Sequence, residues 1–514
     1  MLHIKQVIVI SLLLATSLSC APLNVGDGTL ITPSVSRITL SATPPAPKAR
    51  PAKGQPTPQA YLPLMSGPSA APYDLILGRP TTDTIAASLY ATTDITVAIS
   101  YGPESSLSQT QTAPLSLKAY APQTITLTQL LPDTAYRYRV ITADSQALSD
   151  AILIAHRFHT SRAPGSTFTF TIDADPHHRD PNFNGELYID TLTNARNDQP
   201  DFHINLGDTF MTEKVLTSPR TYTAAVSTFT DMRPYFSLIG ADAPLFLVNG
   251  NHEGELGWFF GSRNDSSMPV WSTQLRQLYY PNPTPNGFYS GATTPDPALG
   301  AARDGYYAWT WGDAQLIVLD PFWYTSTKPQ PTDLTQGNWN WTLGKAQYDW
   351  LKATLESSTA TFKFVFIHHL VGGSQDARGG IEFAPYYEWG GKNLDGSDGF
   401  AAHRPGWDKP IHQLLVDNKV NAVFHGHDHV FVKQDLDGIV YQEMPQPNIT
   451  NYNNTSLAAE YGYVNGEVRS SSGHLRVIVS PTQVTVDYVR AYLLKDIRPT
   501  RQNGQVDFSY AILP

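Results

Sequence analysis

Cysteine is almost absent from this chain: Cys20 is the only one in 514 residues. Without a second cysteine no intrachain disulfide can form, so stability must come from burial and from any bound metal. Charge is sparse too, at 16% charged residues with a formal net charge of −10. That balance argues against the broad basic face that nucleic-acid binding needs. Long hydrophobic runs are missing. The apolar stretch Val7–Leu14 is too short for a membrane span. No internal repeat is evident. Proline (40), tyrosine (26) and tryptophan (10) are plentiful, which suits a β-rich, loop-rich exported protein better than a helical bundle.

The first 20 residues read as a secretion signal. Lys5 supplies the positive region, Val7–Leu14 the apolar run, and small residues follow at Ala15–Ser19. Cys20 comes next, and the segment resembles a bacterial lipoprotein signal in which that cysteine is lipidated. Ser17 stands where such signals usually carry leucine, so ordinary signal cleavage fits equally. The expected location is extracytoplasmic, either as a cell-surface lipoprotein anchored through Cys20 or as a secreted protein. Residues 21–72 form a linker whose Pro/Ala-rich part, with Pro56, Pro58, Pro63, Pro68 and Pro72, suits an extended semi-rigid spacer.

Residues 73–162 alternate apolar and polar side chains over short runs: Thr84–Tyr90, Thr96–Tyr101, Thr124–Thr128 and Tyr136–Ile141. Period-two runs at this spacing predict a β-sandwich. The stretch Leu130-Leu-Pro-Asp-Thr-Ala-Tyr136 followed by a Tyr-x-Tyr strand resembles a fibronectin type III domain. More specifically, it is similar to the small domain that precedes the catalytic domain in purple acid phosphatases.

From residue 163 to 514 the pattern changes to apolar strands alternating with helices. Strands are predicted at Thr167–Ile172, Asp201–Leu206, Pro244–Val248, Gln315–Leu319, Thr361–Ile367 and Val420–Phe424, and helices at Lys345–Glu356 and Ile411–Asn418. Gly312-Asp313 marks a hairpin. The order predicts an α/β body. The tail strands Leu475–Val479 and Val484–Val489 are expected to close its second sheet.

Five motifs carry the chemistry, and most directly follow an apolar strand. They are Asp175-Pro-His177, Gly207-Asp208, Gly250-Asn-His-Glu253, His368-His369 and His425-Gly-His-Asp-His429. Ligand sites in open α/β sheets collect beyond the carboxyl ends of strands, so polar groups far apart in sequence can converge there. Each of the first four motifs alone is commonly structural, whereas three imidazoles within five residues point to metal. Carboxylates and imidazoles suit Fe, Zn or Mn. Two ions sharing one carboxylate, roughly 3.5–4 Å apart, clamp a phosphoryl group and generate a nucleophilic hydroxide near neutral pH.

The ordered set resembles the calcineurin-like metallophosphoesterase superfamily. That resemblance implies a four-layer α/β/β/α sandwich preceded by the small all-β domain, and a metal-dependent hydrolase of phosphate esters. Carried over position by position, Asp175, His177 and His429 would bind one ion, Asn251, His368 and His427 the other, and Asp208 would bridge. His252 would contact the phosphate and stabilise or protonate the departing oxygen. His369 competes with His368, because the usual proline two residues after the ligand is Leu370 here. Asp173 and His178 compete within the first motif. Purple acid phosphatases place a tyrosine ligand three residues after the bridging aspartate. Met211 stands there, so no tyrosinate colour is expected and the likeness to that group concerns architecture only.

The segment between the last two motifs is rich in charge and aromatics, and Arg378, His403 or Arg404 could hold a phosphate oxygen. Trp258-Phe-Phe260 could form an aromatic wall or belong to the core. A competing reading is a surface-anchored binding or adhesion lipoprotein with a degenerate hydrolase domain. It requires lost ligands, yet all seven, and His252, are present.

Overall fold

The computed structural model of the protein describes residues 72–106, 108–142, 155–329 and 337–514. The secretion signal, Cys20 and the spacer up to residue 71 lie outside the described residues. Among the described residues no helix is long and apolar enough to cross a membrane.

The first part is all β. Tyr73–Gly78, Ile85–Ala91 and Gln123–Leu127 form one sheet, and Thr110–Gln111, Ile95–Pro103, Ala135–Thr142 and His156–His159 another, with Leu115–Leu117 paired to Ile95–Pro103. Alternate residues face inward, so Leu75, Leu77, Ile85, Leu89, Val97, Ile99, Tyr136 and Tyr138 share one buried core. The Leu130–Tyr136 stretch closes on itself: the Tyr136 hydroxyl accepts the Leu131 backbone N–H at 2.7 Å.

Two sheets follow, stacked face to face. The first has six strands in the order Leu245–Leu247, Phe202–Asn205, Phe168–Asp173, Gly473–Ser480, Gln483–Arg490, Val506–Ile512. The second has eight, and its centre runs Ala314–Val318, Phe362–Phe366, Ala422–His425, Ile439–Glu443, all parallel. Their inner faces meet in an aromatic core. Phe170 stacks on Phe202 at 5.1 Å, and Phe246 lies flat on Trp309 at 4.3 Å. The outer face of the first sheet is covered by the helices Gly185–Asn197, Tyr222–Thr230, Arg233–Gly240 and Met268–Tyr279. The outer face of the second is covered by Gly344–Ser357 and Ile411–Asp417. These are the four layers expected from the sequence.

The tail departs from expectation. Its strands join the first sheet, with Leu475 opposite Ile172 and Val477 opposite Phe170. The physical reason is burial: Leu475, Val477 and Val479 point into the same inter-sheet core as Phe168, Phe170 and Ile172. The tail therefore lengthens the sheet that carries the first three motifs.

Arg233 ties the β-sandwich to the helices behind the first sheet. Its fully buried guanidinium meets Asp74 Oδ1 at 2.6 Å, donates to the Ser88 carbonyl at 3.1 Å and also caps the Tyr279 carbonyl. Removing one partner of a buried ion pair strands the other charge. Arg233→Ala is expected to lower stability by roughly 3–5 kcal/mol, and Asp74→Asn added to it should recover part of the loss. Chemical denaturation checks this, and an unchanged midpoint for Arg233→Ala would refute it.

Candidate metal centre

The parallel strands of both sheets end at one edge, and the turns beyond them hold the motif residues. The chain must reverse sharply there. Asp175 (φ 59°), His177 (φ 52°), Asp208 (φ 54°), His427 (φ 81°) and His429 (φ 63°) all adopt the left-handed backbone region, uncommon for residues with a Cβ. The glycines of the motifs allow the turns to touch. A Cβ on Gly207 would lie 2.4 Å from Gly250 N, one on Gly250 would lie 2.3 Å from Asp208 N, and one on Gly426 would meet the Asp175 carboxylate. Glycine is needed there because two backbones approach within contact distance.

Two groups of side chains result. Asp175, His177 and His429 form one, and Asp208, His368 and His427 the other; within each, potential ligand atoms lie within 4.8 Å of one another. Each carboxylate has one oxygen held by backbone. Asp175 Oδ2 accepts the His427 N–H, and Asp208 Oδ1 accepts the His252 N–H, both at 2.9 Å. The free oxygens face the imidazoles. Asp175 Oδ1 is 3.6 Å from His177 Nε2 and 3.5 Å from His429 Nε2. Asp208 Oδ2 is 3.3 Å from His177 Nε2 and 3.3 Å from His368 Nε2, so it stands between the groups. Asn251 Oδ1 lies 3.1 Å from His368 Nε2, which brings the amide to the second group.

A profile of the calcineurin-like phosphoesterases matches residues 168–431, more than half of the chain. The chain belongs to the calcineurin-like phosphoesterase family. It is thus a metal-dependent hydrolase of phosphate esters. No curated protein matches the sequence. Among solved structures, PhoD is similar with a TM-score of 0.59 and 16% identity, over 87% of this chain and 91% of that one. A purple acid phosphatase, PPD1 from yellow lupin (Lupinus luteus) seeds, is similar with a TM-score of 0.54 and 15% identity, over 85% and 74% respectively. At such identity these likenesses speak for the fold.

The donor set of this phosphoesterase fits metal ions. Asp175 Oδ1, His177 Nε2 and His427 Nδ1 are buried without a hydrogen-bond partner, a costly state for polar atoms unless something ligates them. Ring tautomers are set by the opposite nitrogen. His368 Nδ1 donates to the Leu206 carbonyl at 2.8 Å, leaving Nε2 free, and His427 Nε2 donates to the Asp376 carbonyl at 2.8 Å, leaving Nδ1 free.

The competitors fall outside both groups. Asp173 lies in the strand and is fully used, by Tyr188 Oη at 2.9 Å, Asn205 Nδ2 at 2.7 Å and His203 at 3.2 Å. His178 packs edge-on against Phe183. His369 packs against Trp341 and Phe322, and burial together with the neighbouring His368 pushes it down to about 3. Met211 is buried and leads into the short helix Thr212–Val215. Trp258 packs edge-on against Trp341 on the core behind the second sheet, while Phe260 is exposed.

The three residues proposed from sequence to grip phosphate are engaged by the protein. Arg404 is paired with Glu388 and donates to the carbonyls of Trp339 (2.6 Å), Trp341 (2.9 Å) and His403 (2.8 Å). These bonds clamp the loop through all three guanidinium nitrogens of Arg404. His403 lies flat on Trp339 at 4.2 Å. Arg378 donates to the His427 carbonyl at 2.6 Å.

Two residues near the site were not assigned roles from sequence. Glu253, the last residue of Gly-Asn-His-Glu, accepts the backbone N–H groups of Asp208 (3.1 Å), Thr209 (2.6 Å) and Phe210 (3.3 Å), knitting two motif turns together. Its place in the motif was the available signal. Glu213 pairs with His252 Nδ1, and nothing in its sequence surroundings marks it.

Charge in the metal-free site is balanced by protons. Burial opposes the charged imidazole, but the Asp208 and Asp175 carboxylates outweigh it, raising His177 to about 9 and His368 to about 10. Burial, with the His177 charge, instead lowers His429 to about 4. A metal must displace the protons on His177 and His368. Their raised values mean protons compete below pH 9–10 and release their hold above it, so apparent affinity should climb with pH over that range. Calorimetric titration of the metal-free protein with Mn²⁺ at pH 7, in buffers of different ionisation enthalpy, should show net proton release. Binding without proton release would contradict this charge assignment.

Proposed function

We propose that this phosphoesterase holds two metal ions and hydrolyses phosphomonoesters or phosphodiesters outside the cytoplasm. The observation that carries the dinuclear reading is the position of Asp208 Oδ2, 3.3 Å from one imidazole of each ligand group. Asp175, His177 and His429 hold one ion, Asn251, His368 and His427 the other, and Asp208 is shared. Oxygen and imidazole donors of this kind accept Fe, Zn or Mn. Ions held there would supply charge to polarise the phosphoryl group and acidify a water.

The chain's own residues do the rest. Asp208 spans the two groups, and Asn251 stands beside His368 in the second. His252 stands on the same side, with Nε2 3.7 Å from Asp208 Oδ2. Glu213 holds its Nδ1 and Asn251 Nδ2 lies 3.2 Å from its Nε2, which fixes the ring with Nε2 toward the ligand groups, placed to protonate or hydrogen-bond the departing oxygen. Burial works against a charged His252, but Asp208 and Glu213 raise its affinity for the proton, as a proton donor requires.

Hydrolysis of an aryl phosphomonoester and an aryl phosphodiester, with Fe, Mn or Zn supplied, tests this. Turnover of at least one ester is expected, and the ratio of the two assigns the class. Asp208→Ala should abolish it, and His252→Gln should lower kcat by about 10²–10⁴ while both ions still bind. No turnover of either ester with any of the metals would overturn the reading.

Export is supported by Lys5, the apolar run Val7–Leu14 and the small residues before Cys20. Fractionation of cells producing the full chain should place it outside the cytoplasm, on the membrane if Cys20 is lipidated and soluble if Cys20→Ser is used. Full-length protein confined to the cytoplasm would refute export.

A further inference from the structure

Behind the second ligand group lies a loop that touches no motif in sequence but sets one ligand's orientation. Its residues 372–379 are held in an unusual shape. Gly372, Gly373 and Gly379 have positive φ, and so do Asp376 (59°) and Ala377 (62°). For alanine this is a strained conformation, kept only where neighbours over-determine it. The neighbours are visible. Asn338 Nδ2 donates to the carbonyls of Gly373 and Ser374 at 3.0 and 2.9 Å, and the Gly379 N–H donates to Asp428 Oδ2 at 2.7 Å.

Arg378 closes the arrangement. Its Nη1 donates to the His427 carbonyl at 2.6 Å and to Asp428 Oδ1 at 3.1 Å, while the guanidinium lies over the Tyr461 ring at 4.3 Å. Asp428 is anchored on its other oxygen by the Tyr463 hydroxyl at 2.8 Å, and its backbone N–H donates to Glu443 at 2.9 Å. Loop and ligand turn are therefore joined by four hydrogen bonds: Arg378 to the His427 carbonyl and to Asp428 Oδ1, Gly379 to Asp428 Oδ2, and His427 Nε2 to the Asp376 carbonyl. A carbonyl oxygen can only accept, so the last bond requires the proton on Nε2 and leaves Nδ1 as a lone pair, buried and without a partner.

We propose that Arg378 is a positioning residue for metal binding, acting through the 374–379 loop to hold His427 with Nδ1 toward the second ion. This rests on the reading of His427 as a metal ligand. It assigns Arg378 a role different from gripping substrate. Removing the guanidinium breaks two of the four bonds between loop and ligand turn, so the Asp376 carbonyl holds the ring's orientation less firmly. Outer-shell partners of this kind typically change metal affinity about 10–100-fold.

The test is calorimetric titration of the metal-free full chain with Mn²⁺, for the unaltered protein, Arg378→Ala and Arg378→Lys, with KM for an aryl phosphate ester measured at saturating Mn²⁺. Arg378→Ala should weaken one of the two Mn²⁺ events by about 10–100-fold, leave the other near its original value and leave KM unchanged at saturation. Arg378→Lys, which keeps the charge and one donor to His427, should recover part of the loss. Two unchanged binding events in Arg378→Ala overturn the proposal, and a raised KM beside them would return Arg378 to the substrate. Should Arg378→Ala fail to fold by circular dichroism, Arg378→Gln is read by the same criteria. If the unaltered chain binds Mn²⁺ but hydrolyses neither ester, the proposed function fails while this inference stands.

Discussion

The Asp208 carboxylate is the point on which the rest of the structure converges. It is buried, with one oxygen tied to the His252 backbone and the other shared between imidazoles from different turns. Burying an anion is expensive unless cations or protons neutralise it. The surroundings meet that condition twice over. Imidazoles gather around it, and Glu253, on the far side, orients the amides of the Asp208 turn. A centre of this kind can be filled by protons or by metal.

That convergence has a conformational cost, met by the chain at the turns. Five of the candidate ligands sit in left-handed backbone, a concentration of strain at a functional edge. Glycines 207 and 250 let neighbouring turns pack backbone against backbone, and Gly426 leaves room for the Asp175 carboxylate. The load is carried by the two sheets behind. Their aromatic core is continuous from Phe168 to Phe424, and parallel strands deliver every turn to one edge. Rigid strands with strained ends suit a site that must present donors at fixed spacing before any substrate arrives.

Support also comes from outside the two sheets. The β-sandwich is attached by a buried ion pair, Arg233 to Asp74, set against helices that cover the first sheet. Arg404, paired with Glu388, organises the segment between the last two motifs through three backbone carbonyls. Both arginines act through planar, multidentate donors, a geometry lysine could not reproduce. Their work is to hold loops in register with the edge of the sheets.

The motifs, their order and the alternating strands of the first domain were legible in the sequence, because each rests on local pattern: a period of two, an apolar run, a glycine beside a ligand type; the four-layer architecture was implied by the family resemblance. Asp175, His177, Asp208, Asn251, His368, His427 and His429 were singled out through the family resemblance that those motifs carry. Other features depended on which chain segments meet. That Leu475 pairs with Ile172, placing the tail in the first sheet, is a matter of long-range register. That Glu213 meets His252, that the Asp376 carbonyl orients His427, and that Arg404 is occupied by Glu388 all involve partners without a shared motif. The sequence by itself determined the donor types and the family chemistry, since these follow from residue identity. Tertiary structure alone decided which nitrogen of each imidazole is free and which arginine is already spent, since hydrogen-bond directions exist only once the turns are brought together.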